Sequence, residues 1–180
     1  MTHVGTGTVY WITGLSDAGK TSVAKSLKER FVDSGQTVIL LDGDELRGIF
    51  RTIRGYGQDD RFRLAMSYAN LCRAISDQGI SVICATISMF HDVRKWNRDN
   101  IPHYREIFLD VPLEELRRRD SKGLYAKAER DEKNELVGMG VPCEMPAQPD
   151  LQISNYGDCS VQDTVERIWL MCTQGKPEKT

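Results

Sequence analysis

The 180-residue sequence lacks most of the features that would assign it to a membrane, a metal cluster or a nucleic acid. No apolar run approaches the roughly 20 residues that a membrane-spanning helix needs. Met1–Gly7 is short and polar, without the apolar core of a signal peptide, so a cytoplasmic setting is expected. The five cysteines (Cys72, Cys84, Cys143, Cys159, Cys172) are odd in number, scattered and without C-x-x-C spacing. That pattern fits reduced thiols and excludes a zinc ribbon. His3, His91 and His103 are too dispersed to form a metal cluster. A net charge of -2 leaves no basic field for nucleic acid. There is no internal repeat and no linker, so residues 1–180 are expected to form one domain. The guanine-reading string Asn-Lys-x-Asp is also absent, which excludes a GTPase-like switch.

What is present begins with Gly14-Leu15-Ser16-Asp17-Ala18-Gly19-Lys20-Thr21, which fills the phosphate-loop pattern G-x-x-x-x-G-K-[ST] at every required position. Thr8–Thr13 reads as a buried strand leading in. Thr21–Phe31, with Val23, Ala24, Leu27 and Phe31 at helical spacing, reads as a helix leading out. In that context the glycines let consecutive N–H groups face one anion, and the helix adds its positive end. Lys20 would reach the β- and γ-phosphates of ATP, and the Thr21 hydroxyl would ligate Mg²⁺. Asp17 puts a carboxylate in the cradle. Aspartate tolerates left-handed backbone better than most residues, so the loop can still form while holding nucleotide less tightly.

The remaining apolar runs alternate with helical patterns. Strands are expected at Thr37–Leu41, Ser81–Ile87, Glu106–Asp110 and Leu151–Ile153, and helices at Arg61–Ser76, from Pro112 to about Arg119, and from Val161 to Cys172. This predicts an α/β fold of the P-loop kinase type, a parallel five-stranded sheet with helices on both faces. Residues 121–148 are charged, end in a proline-rich stretch and show little periodicity. They are read as a mobile lid whose Lys122, Lys127 and Arg130 could close over phosphates. Residues 174–180 read as a frayed tail.

Asp42-Gly43-Asp44 follows the second strand, at the carboxyl edge where ligands bind in such sheets. Its two carboxylates could divide the work, Asp42 toward Mg²⁺ and Asp44 toward an acceptor hydroxyl. An Asp-Gly turn with helix-capping carboxylates is the other reading of the same string. Arg47, read near the start of a helix, and Arg61, beginning another, could each clamp an acceptor phosphate.

Taken together, the loop, Leu41-Asp42-Gly43-Asp44 with Arg47, Asp60-Arg61, Ile87-Ser88 and Arg119-Asp120 leading to Lys122-Gly123-Leu124-Tyr125 resemble the adenylylsulfate kinases. These kinases move the ATP γ-phosphate to the 3′-hydroxyl of adenosine 5′-phosphosulfate. The resemblance implies an ATP site that includes Arg119 and Asn155, and an acceptor site of Asp44, Arg47, Tyr56, Arg61, Leu64, Ile87, Ser88, Lys122, Leu136 and Val137. It also implies a homodimer. Ser88 matches a serine that some members are described as phosphorylating transiently; direct in-line transfer is the simpler route. Departures cluster at the acceptor base. Of two expected aromatic walls, one position is Tyr56 and the other is Leu136; an expected asparagine is Leu64. Thr86–Phe90 with Val137-Gly138 looks more like a divergent branch that includes cytidine diphosphoramidate kinases of capsule modification. The expected activity is therefore adenylylsulfate kinase, as in sulfate assimilation. The alternative is a cytidine nucleotide acceptor, and a third reading is a non-catalytic ATP-binding regulator.

Overall fold

A computed structural model describes residues 5–50, 55, 57–130 and 135–173. Five strands, β1 (Val9–Thr13), β2 (Val38–Asp42), β3 (Ser81–Ala85), β4 (Tyr104–Asp110) and β5 (Leu151–Ser154), form one sheet in the order β2-β3-β1-β4-β5. Every pairing is parallel, which requires crossovers and covers both faces with helices. Among the described residues seven helices do so: α1 (Lys20–Asp33), α2 (Gly43–Ile49), α3 (Gln58–Ser76), α4 (His91–Asn100), α5 (Leu113–Arg119), α6 (Leu124–Ala128) and α7 (Val161–Thr173).

Strand alternation divides the apolar residues between two cores. Tyr10 and Ile12 of β1, with Ile83 and Ala85 of β3, join α1, α7 and part of the lid. Val9 and Trp11, with Val82 and Cys84, join α2, α3 and α4. This is the period-2 signature of a strand buried on both sides. On the first face Phe31 stacks edge-on against Trp169 at 5.1 Å and lies 5.3 Å from Tyr10. No described helix is long and apolar enough to cross a membrane.

Two helices absent from the sequence reading have identifiable causes. α4 buries Val93 but also Arg94 and Asn97, so its inward face is polar and hydrophobic periodicity misses it. α6 lies inside the segment read as irregular. It is nucleated by Asp120, whose carboxylate oxygens accept from the Tyr125 and Ala126 N–H groups at 2.9 and 3.0 Å. These bonds hold the Asp120 carboxyl below the usual carboxylate range.

The lid segment is also less detached than its composition implies. Tyr125, Ala128 and Val137 are buried, and Leu136, Met139 and Val141 pack against the first core. Its return stem is tied to α4 and β4 by a buried charge network. Arg94 Nε lies 3.3 Å from Glu106 Oε1, and Arg98 Nη2 lies 2.7 Å from Glu106 Oε2. The same arginines donate to the carbonyls of Glu144 and Gln148. Removing one member leaves desolvated guanidinium charge without compensation. Glu106→Leu is therefore expected to lower the unfolding free energy by about 3 kcal/mol, read from urea denaturation; a change below about 1 kcal/mol would show that the network is not a stabilising anchor.

Candidate active site

The phosphate loop runs from the end of β1 to the start of α1, and its shape comes from what holds its carbonyls. Four consecutive carbonyl oxygens accept hydrogen bonds from side chains. Lys20 Nζ reaches Leu15 O at 2.6 Å, Tyr125 Oη reaches Ser16 O at 3.0 Å, Arg119 Nη1 reaches Asp17 O at 3.3 Å, and Asn155 Nδ2 reaches Ala18 O at 2.7 Å. Because each peptide is planar, fixing a carbonyl also fixes the direction of the next N–H. Asp17 and Gly19 supply the left-handed turns, with φ 59° and 91°. Any Cβ at Gly19 would lie 2.7 Å from Asn155 Nδ2, so no other residue fits there without displacing that brace. α1 has no acidic residue in its first turn and no side-chain cap, leaving its first N–H groups for an anion.

The second acidic element meets this loop directly. Asp42, 7 % exposed at the end of β2, accepts from Thr21 Oγ1 at 2.7 Å through Oδ2 and from the Asp44 N–H at 2.9 Å through Oδ1. The helix-capping reading of Asp-Gly-Asp is thus real, since Asp42 caps α2. It is also compatible with the other reading, because the second oxygen remains on the loop. Asp44 is exposed and carries an ion pair with Lys122 of the lid, a bond that holds the Lys122 pKa above the ordinary lysine range.

Loop, acids and lid enclose one cavity of about 900 Å³. Of the residues singled out from sequence, it brings together Ser16, Asp17, Gly19, Lys20 and Thr21 with Asp42, Asp44 and Arg119. It also gathers Arg47, Arg61, Leu64, Ile87, Ser88, Lys122, Leu136 and Val137. Gly14, Leu15, Ala18 and Asn155 do not line it. Asn155 is buried behind the loop, accepts from Thr164 Oγ1 at 2.7 Å and donates to the Ala18 carbonyl, bracing the loop rather than lining the cavity. Arg47 lies in the last turn of α2, not near a helix start. Arg130 turns back onto the Ala126 carbonyl and is not in the lining. Tyr56 lies outside the described residues.

Several lining residues went unread. Phe90 faces the cavity, backed edge-on by Phe62 at 5.5 Å. Tyr68 lines it and donates to Gly43 O at 3.2 Å. Phe90 closes the Thr86–Phe90 run, whose place after β3 was the available signal; Tyr68 was legible only as an apolar position of α3. Ser88 is strained, with φ 28°, and its Oγ lies 2.7 Å from Thr86 Oγ1.

Comparison with known proteins assigns this arrangement. The family model described as adenylylsulphate kinase matches residues 6–154. The chain belongs to the adenylylsulphate kinase family. A cytidine diphosphoramidate kinase of Campylobacter jejuni is 36% identical over 160 residues, covering 89% of this chain and 93% of that one. An adenylyl-sulfate kinase of Pseudomonas aeruginosa is 39% identical over 153 residues, covering 83% and 78%. The solved structure of a Mycobacterium tuberculosis APS kinase in complex with AMPPNP and APS superposes with a TM-score of 0.86 at 31% identity, covering 93% of this chain and 98% of that one. The protein is thus a phosphotransferase of this family, on a P-loop kinase fold.

Desolvation in the cradle pulls the Lys20 ammonium down to about 8, opposed by the charges of Asp44, Asp17 and Asp42. The sign follows: the ammonium is held through neutral pH and lost as pH rises through 8, well before an exposed lysine. NMR of reductively ¹³C-methylated protein is expected to show one dimethyl-lysine signal titrating near pH 8, absent in Lys20→Met. If every lysine signal titrates near its ordinary value, the loop does not desolvate Lys20 as described.

Proposed function

We propose that the protein transfers the γ-phosphate of ATP to the ribose 3′-hydroxyl of a small nucleotide acceptor, with adenosine 5′-phosphosulfate as the first assignment. The observation that carries this reading is the Thr21–Asp42 hydrogen bond, which seats the acidic pair at the mouth of the phosphate cradle. Lys20 and the loop N–H groups bind the polyphosphate, and Arg119 holds the loop that contacts it. Thr21 Oγ1 and the Asp42 carboxylate offer hard oxygen donors suited to Mg²⁺, which would neutralise phosphate charge when bound. Asp44 accepts the proton of the 3′-hydroxyl as its oxygen bonds to the γ-phosphorus; the bond to the β–γ bridging oxygen breaks and ADP leaves. Arg47, Arg61 and Lys122 hold acceptor charge, while Leu64, Ile87, Leu136 and Val137 form the apolar part of its site. Ser88, within reach of Thr86, orients a phosphoryl oxygen, and no phosphoserine is required.

One observation favours a second acceptor. Leu136 stands in the cavity where the family resemblance leads one to expect an aromatic wall. A lost stacking partner is worth about 1–3 kcal/mol per base, which weakens selection for adenine and makes a cytidine diphosphate derivative the alternative. The five cysteines are free, which supports a reducing setting, the cytoplasm. The proposed homodimer rests on family resemblance.

A ³¹P spectrum of products from ATP, Mg²⁺ and either adenosine phosphosulfate or CDP-phosphoramidate tests the reading. A new 3′-phosphomonoester signal with one acceptor is expected. ATP consumption that no acceptor changes would leave only a nucleotide-binding regulator. Asp44→Asn should lower turnover by about 10²-fold or more while sparing ATP binding; full activity would remove Asp44 from its role. Leu136→Phe should shift the acceptor ratio toward adenine by about tenfold, and an unchanged ratio would show that this position does not face the base.

A further inference from the structure

Asp17 is the only acidic residue in the phosphate loop, and it sits in left-handed backbone that glycine would adopt without strain. Its side chain is committed to the lid. Oδ1 accepts a short hydrogen bond from Ser121 Oγ, while Oδ2 is buried with no hydrogen-bond donor among the described residues. Ser121 immediately precedes Lys122, whose ammonium is paired with Asp44 and also feels the charge of Asp17. One lysine thus lies in the field of three carboxylates, Asp44, Asp17 and Asp42. Asp42 is committed to Thr21 and the Asp44 N–H, which leaves one on the phosphate loop and one at the acceptor side to exchange it. Both line the same cavity.

We propose that Asp17 is a positioning residue that couples nucleotide occupancy of the loop to the lid, by competing with Asp44 for Lys122 through the Ser121 contact. The proposal rests on the cradle binding a nucleotide polyphosphate. With the cradle filled, phosphate charge lies beside a carboxylate that has one oxygen unpartnered. Like charges a few ångströms apart in a desolvated site repel strongly. Lys20 is already held on the Leu15 carbonyl and the loop, so the cation that can shift to offset them is Lys122 of the lid. Its movement toward Asp17 frees Asp44 to receive the acceptor hydroxyl, and Ser121 keeps the lid stem in register for the exchange. Asp17 then has opposite effects on the two substrates. Its charge weakens nucleotide binding and, by drawing Lys122 off Asp44 while leaving it in the same cavity to meet acceptor charge, favours productive acceptor binding.

The test separates charge from hydrogen bonding. Asp17→Asn keeps an acceptor for Ser121 and a residue tolerant of left-handed backbone, but removes the charge. Calorimetry without acceptor is expected to show MgATP and MgADP binding about tenfold tighter, while the acceptor KM at saturating ATP rises several-fold. Asp17→Gly, which relaxes the backbone, should act in the same two directions and serves if the asparagine variant folds poorly. Ser121→Ala should raise the acceptor KM in the wild-type background and have little effect in the Asp17→Asn background. A merely structural role would move both constants together. Nucleotide and acceptor constants that stay within twofold, or that change in the same sense, overturn the coupling. If the unmodified protein itself binds no MgATP, the kinase reading falls as well; if it binds while Asp17→Asn is unchanged, the coupling alone falls.

Discussion

The chemistry depends on the restraint of the carbonyls of Leu15, Ser16, Asp17 and Ala18 by side-chain donors. A glycine-rich loop has no intrinsic reason to point its amides at one place; glycine makes that conformation accessible but does not select it. Selection comes from donors that are distant in sequence. Tyr125 and Arg119 come from the lid and its stem, and Asn155 from the end of β5. Each is itself positioned. Tyr125 is 1 % exposed in the first core, Asn155 is bonded to Thr164 of α7, and Arg119 also reaches the Asn155 carbonyl at 2.9 Å. A phosphate cradle is thus preorganised by the far half of the chain, and its amides need little rearrangement to meet charge.

The sheet order places the acids. β1 lies between β3 and β4, and β2 lies beyond β3, so the loop after β1 and the turn after β2 open on the same carboxyl edge, two strands apart. Parallel register puts Asp42 opposite Ala85, and the chain after Ala85 runs through Thr86 to Ser88 between the two. Thr13 Oγ1 donates to the Ile87 carbonyl at 2.5 Å, tying this middle segment back to the end of β1. Three successive strand ends therefore present one continuous surface, the topological position where open α/β sheets bind ligands.

How legible this was in the sequence varied with the physics. All five strands could be read, because β1 to β4 are apolar on both faces and β5 sets Leu151 and Ile153 at alternate positions against the first core. α1, α3, α5 and α7 could be read from periodicity or a preceding proline. α4 could not, since Arg94 and Asn97 occupy its inward positions and their partners, such as Glu106, are visible only in three dimensions. The donor side of the site was legible as a contiguous string because consecutive amides must line one anion. The acceptor side has no such string: Arg47, Arg61 and Leu136 come from separate elements with no spacing rule to connect them, so only the family resemblance groups them, and Phe90 lies outside that grouping. Asn155 was assigned to the site, yet it acts on a carbonyl behind the loop, a distinction that residue identity alone does not carry.

That asymmetry has a structural basis in how the lid is held. Its first stem is fixed by Arg119, which touches the loop carbonyls, and its return stem by Arg94 and Arg98, which grip the carbonyls of Glu144 and Gln148 from the opposite side of the sheet. Between these anchors the lid meets the loop through Tyr125 and through Gly138, where any Cβ would lie within 3.0 Å of the Leu15 side chain. Residues 135–137 line the same cavity, whereas the side chains that donate to the carbonyls of residues 15–18 are those of Lys20, Tyr125, Arg119 and Asn155. Substitution there, such as a leucine in place of an aromatic side chain, can change the shape and stacking of the base site while leaving the amide cradle, Lys20 and Asp42 where they are. On the proposed assignment the amide cradle and the stretch at 135–137 are held by different contacts, so a family that keeps the first can diverge in the second.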